Sequence, residues 1–182
     1  MFKIVACGIL ILCVPLGGCR NERFQPEAPL VEKWDFQKGM DGWDVTPPDA
    51  SEIVAIGETN VLQLSNPKGS ENKKSVRVWK RVRIGNDKTR VRFSVEAMTA
   101  IPNLPLDVHV VCQTGKQDGP TYGVLAAEST EVSLTSNWTN CEVVLDIPNG
   151  TQEVEFSIGA DIASAEGATV DIRSVEYQIE SK

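Results

Sequence analysis

The sequence predicts an all-β chain, an antiparallel sandwich of about ten strands over roughly 150 residues. Three observations predict it. After residue 30, alternation of apolar and polar residues at a period of two is easy to find, and amphipathic-helix spacing is not. Turn-forming clusters separate the alternating runs: "MDG", "TPPD", "NPKG", "GND", "IPNLP", "QDGP" and "PNG". No long helical stretch lies between them, which argues against a βαβ enzyme fold.

The first element is not a strand. "MFKIVACGILILCVPLGGC" has a basic start at Lys3, an apolar stretch from Ile4 to Leu16, then small residues and Cys19. This is the layout of a secretory leader, too short and wrongly flanked to span a membrane. "LGGC" at 16–19 resembles the bacterial lipobox. The resemblance implies cleavage after residue 18 and acylation of Cys19, so that the protein is lipid-anchored at the cell envelope. Arg20 stands where inner-membrane lipoproteins carry Asp, so the same resemblance implies the outer membrane. The polar, proline-containing segment to residue 30 reads as a tether. The sandwich domain is expected over 31–182, as one core.

The strands then follow in order. "SEIVAIG" and "VLQLSNP" come first. In "SVRVWKRVRI", Val76, Val78, Val82 and Ile84 face one side, and Arg77, Trp79, Arg81 and Arg83 the other. Lys80 interrupts the apolar side, which suggests an edge or a bulge. "TRVRFSVEAMT" sets Val91, Phe93, Val95 and Ala97 against Arg90, Arg92, Ser94 and Glu96. "LDVHVVCQT" and "NCEVVLDIP" place Cys112 and Cys141 on apolar faces, and "EVEFSIGAD" and "TVDIRSVEYQIE" close the series.

Five cysteines occur in the chain, and Cys7 and Cys13 leave with the leader. With Cys19 acylated, Cys112 and Cys141 are left as a pair in an oxidising compartment, and a disulfide between them is expected. Removal of Lys3 with the leader takes the net charge from −7 to −8. That balance argues against nucleic acid and against an anionic lipid surface as partners.

With the strands placed, "WDFQKGMDGWDV", "VLQLSN", "NWTNCEVVLDIP" and "VDIRSVEYQIE" together resemble jelly-roll carbohydrate-binding modules of bacterial cellulases and xylanases, within the galactose-binding-like fold. The resemblance covers nearly all of 30–181. It implies a tight turn at Gly42 and places Trp43 and Trp138 in the core, while Trp34 stays unassigned. It also implies a structural calcium. Asp35 matches the first ligand, and Asp171 lies near the last, but Arg173 stands where the family has Asp.

No catalytic set is visible. His109 is the single histidine and reads as a partly buried strand residue. No nucleophile elbow is present, and a pair of glycosidase carboxylates cannot be recognised by spacing. Two functions therefore remain open. One is a non-catalytic carbohydrate-binding lipoprotein for a polysaccharide or oligosaccharide; the other is a structural module that engages a cell-envelope protein. For the first, Trp79 flanked by Arg77 and Arg81 is the expected binding strip. Arg92 is expected to extend it and Tyr122, in "QDGPTYG", to close over it. That positive strip points to an acidic polysaccharide.

Overall fold

The computed structural model describes residues 30–65, 75–114, 123–162 and 167–181. The leader, Cys19, most of the tether and Tyr122 lie outside the described residues.

Alternation becomes strand throughout. The strands are β1 (Val31–Trp34), β2 (Asp44–Thr46), β3 (Ser51–Ile56), β4 (Thr59–Ser65), β5 (Val76–Arg83), β6 (Lys88–Thr99), β7 (Leu104–Gln113), β8 (Val124–Leu134), β9 (Thr139–Asp146), β10 (Glu153–Ala160) and β11 (Thr169–Ser181). They form two sheets. One has the order β3-β4-β11-β6-β9, with β1 also paired to β11. The other has the order β2-β5-β10-β7-β8. Every pairing is antiparallel. The expected all-β antiparallel sandwich is the observed fold.

The inward halves of the alternating strands meet in one core, which includes Leu62, Leu64, Val78, Phe93, Val110, Val143, Ile158 and Ile179. Five aromatic rings close a circuit at its centre. Trp34 meets Trp43 edge-on at 5.1 Å, Trp43 stacks on Phe93 at 6.3 Å, and Phe93 lies 4.9 Å from Phe156. Phe156 stacks on Tyr177 at 4.8 Å, and Tyr177 returns to Trp34 at 5.5 Å. Each such pair contributes about 0.5–1.5 kcal/mol beyond burial of its area. Gly42 has φ +81°, the left-handed conformation that a side chain resists, and the turn delivers Trp43 into the circuit. Trp34, unassigned from sequence, belongs to the core with Trp43.

Two expectations require correction, and a third is borne out with an added detail. Trp138 is half-buried outside the core cluster, on the outer side of the six-stranded sheet. It immediately precedes β9, and alternation back from the core residue Cys141 turns it outward. Lys80 marks an edge, as expected, and no bulge: β2 ends opposite Trp79, and from Lys80 onward β5 has no strand partner on that side among the described residues. Its stem points inward, and its ammonium leaves the core by capping Trp34 at 4.1 Å, with Glu32 at 3.6 Å and the Asp41 carbonyl at 3.0 Å.

The second correction concerns the cysteines. Cys112 and Cys141 are free, buried thiols. Cys141 Sγ donates to the carbonyl of Thr130, which is the cross-strand partner of Val108. Cys112 lies four residues farther along β7, about 13 Å away along the strand. A bridge needs Cα atoms closer than about 7 Å. Both residues face the core as expected, but at different levels of the sandwich.

Candidate functional site

On the five-stranded sheet, the residues that alternation turns outward line up in cross-strand rows. Arg77 opposes Gly159, which opposes Asp107. The next row is Trp79, Ser157 and His109, and the one after is Arg81, Glu155 and Val111. The centre of this face is polar yet buried, with Ser157 only 1 % exposed and Glu155 7 %. Its cover comes from the longer side chains of the flanking strands.

Glu155 organises the face. Arg77 Nη2 donates to Glu155 Oε1 at 2.7 Å and to Ser157 Oγ at 3.1 Å. Arg81 donates through Nε to Glu155 Oε2 at 3.1 Å, and its Nη2 reaches the same oxygen. The Arg81 guanidinium carbon lies 5.2 Å from the Trp79 ring centre. Trp79 is therefore half-buried and held, a flat apolar surface set among fixed polar groups. Beside it opens a cavity of about 350 Å³, lined by Ser75, Arg77, Asp107, His109, Gly159 and Asp161 among others. Gly159 makes the hollow by lacking a side chain; its φ is not in the left-handed region, and an added Cβ would meet only Asp107 at ordinary contact distance.

Trp79, Arg77 and Arg81 are brought together as expected. Arg92 is not. β5 and β6 belong to different sheets, so their outward faces point to opposite sides of the sandwich. There Arg92 pairs with Glu142 at 2.9 Å and Arg90 with Asp146 at 2.8 Å. The expected positive strip is therefore not formed. Arg77 and Arg81 share one buried carboxylate, Arg83 has Glu153 at 3.6 Å, and Asp107 and Asp161 add further acid to the cavity. Sequence reading passed over Glu155, Ser157, Gly159 and Asp107. A signal was present, because "EVEFSIGAD" alternates Glu, Glu, Ser and Gly against a fully apolar face.

The carboxylates proposed for calcium do not converge. Asp35 Oδ1 accepts from the backbone N–H of Gln37 in its own turn, at 3.1 Å. Asp171 accepts from Gln63 Nε2 at 2.8 Å. Trp34 pairs with Val175, so Asp35 and Asp171 stand about three residues, or about 10 Å, apart along β11. Among the described residues, no group of three or more His, Cys, Asp or Glu side chains is placed to hold a metal ion.

The architecture resembles known structures. A family 16 carbohydrate-binding module superposes with a TM-score of 0.54 at 22 % identity, covering 78 % of this chain and 94 % of that one. The fold is that of a carbohydrate-binding-module sandwich. A xylan-binding CBM22-1 domain from Paenibacillus barcinonensis Xyn10C matches with a TM-score of 0.56 at 14 % identity, over 87 % of this chain and 99 % of its own. TmCBM61, solved with β-1,4-galactotriose, matches with a TM-score of 0.53 at 16 % identity, over 81 % and 94 %. No family model and no curated protein sequence matches the chain.

Proposed function

We propose that the protein is a non-catalytic carbohydrate-binding lipoprotein, anchored at the outer membrane through acylated Cys19. A glycan lies across the outer face of the five-stranded sheet, with one sugar ring on Trp79 and the adjoining unit in the cavity above Gly159. The observation that carries this reading is the pairing of a held, partly exposed Trp with a cavity lined by convergent polar groups. The described neighbours support it, since their names record binding of xylan and galactotriose.

The site favours a neutral glycan over the acidic polysaccharide expected from sequence. Its arginines are engaged by Glu155 and Glu153, and Asp107 in the cavity wall would repel a carboxylated sugar. Hydroxyl groups, by contrast, match both the acceptors and the donors present.

Affinity electrophoresis through gels containing xylan, β-1,4-galactan or a polyuronate tests the reading. Retardation by a neutral polysaccharide is expected, with Trp79→Ala weakening it about tenfold or more while the fold is retained. Retardation by none of them, or unchanged retardation of Trp79→Ala, would overturn it. The anchor has its own test. A fatty-acid probe should label the wild-type chain in cells and leave Cys19→Ser unlabelled.

A further inference from the structure

The opposite face of the sandwich repeats the arrangement around Trp79. Trp138 is half-buried there, with the Arg173 guanidinium carbon 4.8 Å from its ring centre. Arg173 donates through Nε to Glu96 Oε2 at 2.8 Å, and its Nη2 reaches Glu96 Oε1. Arg81 holds Glu155 through the same two nitrogens, both on Oε2, with its guanidinium carbon 5.2 Å from the Trp79 ring centre. Each face thus carries one Trp, one Arg stacked on it, and one Glu from a neighbouring strand that clamps the Arg.

The second arrangement needs a departure from regular structure. The pairing of β11 with β6 slips between Ile172 and Ser174, and Arg173 is the residue left out of the ladder. A bulge of this kind re-aims a side chain. Here it directs Arg173 across β6 toward Trp138, which precedes β9 on the far side. Ser174 Oγ also approaches Glu96, at 3.4 Å, and Asn140 is the cross-strand partner of Glu96. Solubility alone would be served by any polar residue at 138. An aromatic plate with its guanidinium fixed by a bidentate clamp is instead preorganised to take the apolar face of a ring while polar groups receive its hydroxyls.

We infer that Trp138, Arg173, Glu96 and Asn140 form a second carbohydrate site, making the protein bivalent, with one site on each outer face. The ligand class rests on the function proposed above; the site itself rests on Trp138 and the bulge. The two sheets and the full core lie between the sites, so they engage separate glycan segments. A protein of this form links two chains, or two stretches of one chain, and its avidity exceeds either single affinity.

The four tryptophan indole N–H resonances of the 15N-labelled full chain report on both sites at once. Trp79→Phe and Trp138→Phe assign the two signals. Xylohexaose, cellohexaose and β-1,4-galactotriose are titrated in turn. For at least one probe, both the Trp79 and the Trp138 signals are expected to shift. Trp138→Ala should then halve the binding stoichiometry and leave the Trp79 response unchanged. A shift of Trp79 alone would overturn the second site and leave the proposed function standing. A shift of Trp138 alone would support this site and remove the Trp79 face. No shift with any probe would overturn both. Loss of the folded spectrum in Trp138→Ala, with no Trp138 response in the wild type, would make Trp138 a structural shield and overturn the inference.

Discussion

Gly159 shows how much a single missing side chain decides. It sits in the central strand β10 between Arg77 and Asp107, where any other residue would fill the cavity floor. A Cβ at this position finds ordinary contacts, and strand geometry accepts a β-branched residue. Gly159→Val should therefore keep the melting temperature within a few degrees and weaken glycan retention about tenfold or more, read by affinity electrophoresis beside a thermal melt. The two core cysteines make a second prediction at this scale. Burial pushes the Cys112 thiol up to about 11, and burial likewise raises Cys141. Neither forms reactive thiolate near neutral pH. Peptide mapping after alkylation at pH 8 should find both unmodified in the folded protein and both modified in denaturant without a reductant. A Cys112–Cys141 disulfide in the native chain would contradict the structure.

Strand pairs bring the charges together, and their pH dependence belongs at that scale. The hydrogen bond from Arg173, across the bulged pairing of β11 and β6, lowers the Glu96 carboxyl below its ordinary value of 4.5. A lowered folded value means that this pair stabilises the sandwich above the unfolded value. The contribution is lost as pH falls below 4.5 through the folded value. Side-chain NMR titration should place Glu96 below 4.5, and Arg173→Gln should return it to the ordinary range. The strands themselves were legible in the sequence, because alternation at a period of two survives wherever one face is buried and the other wet. What alternation does not carry is the sheet that a strand joins. β5 and β6 are adjacent in sequence and show the same pattern, yet the turn between them changes sheets. That change removes Arg92 from the Trp79 face, and no local residue preference announces it.

The whole molecule depends on the aromatic circuit, because it draws on both sheets. Trp34, Phe93 and Tyr177 come from one, and Phe156 from the middle of the other. Phe156 is fully buried and touches two of the rings. Phe156→Ala should cost about 3–5 kcal/mol and lower Tm by about 10 °C in calorimetry, whereas Trp79→Ala should scarcely move it. The same contrast separates the tryptophans that sequence reading could place from the one it misplaced. Trp43 follows a glycine turn, and that turn delivers it into the core. Trp138 stands at the mouth of β9, where one step of alternation decides between core and surface. Arg77, Trp79 and Arg81 were recognisable as one outward row. Their charge balance was not, because the carboxylate that binds both arginines arrives from β10, more than seventy residues later.

The pairing of β1 with β11 bears on how the protein carries traction. Val31 opposes Gln178, and the Ile179 N–H reaches the Leu30 carbonyl at 2.6 Å. On the other side of β11, Ile179 opposes Val91 and Val170 opposes Thr99, at the far end of β6. Asp107 and Gly159 lie toward that far end, where the short turn from β6 leads into β7. The chain therefore enters the sandwich at one pole, and the cavity opens toward the other, about 25 Å away at 3.3 Å per residue. Under the proposed function, a pull between a glycan in the cavity and the anchoring segment before residue 30 runs along the strands. It loads the rungs between β1 and β11 together, in shear, with Trp34 seated behind them as a stop. A pull between the two chain ends, which leave β1 and β11 at the same pole, would peel those rungs apart one at a time. The β1–β11 pairing is therefore strong against a pull along the strands and weak against one that separates the two strands at their shared pole.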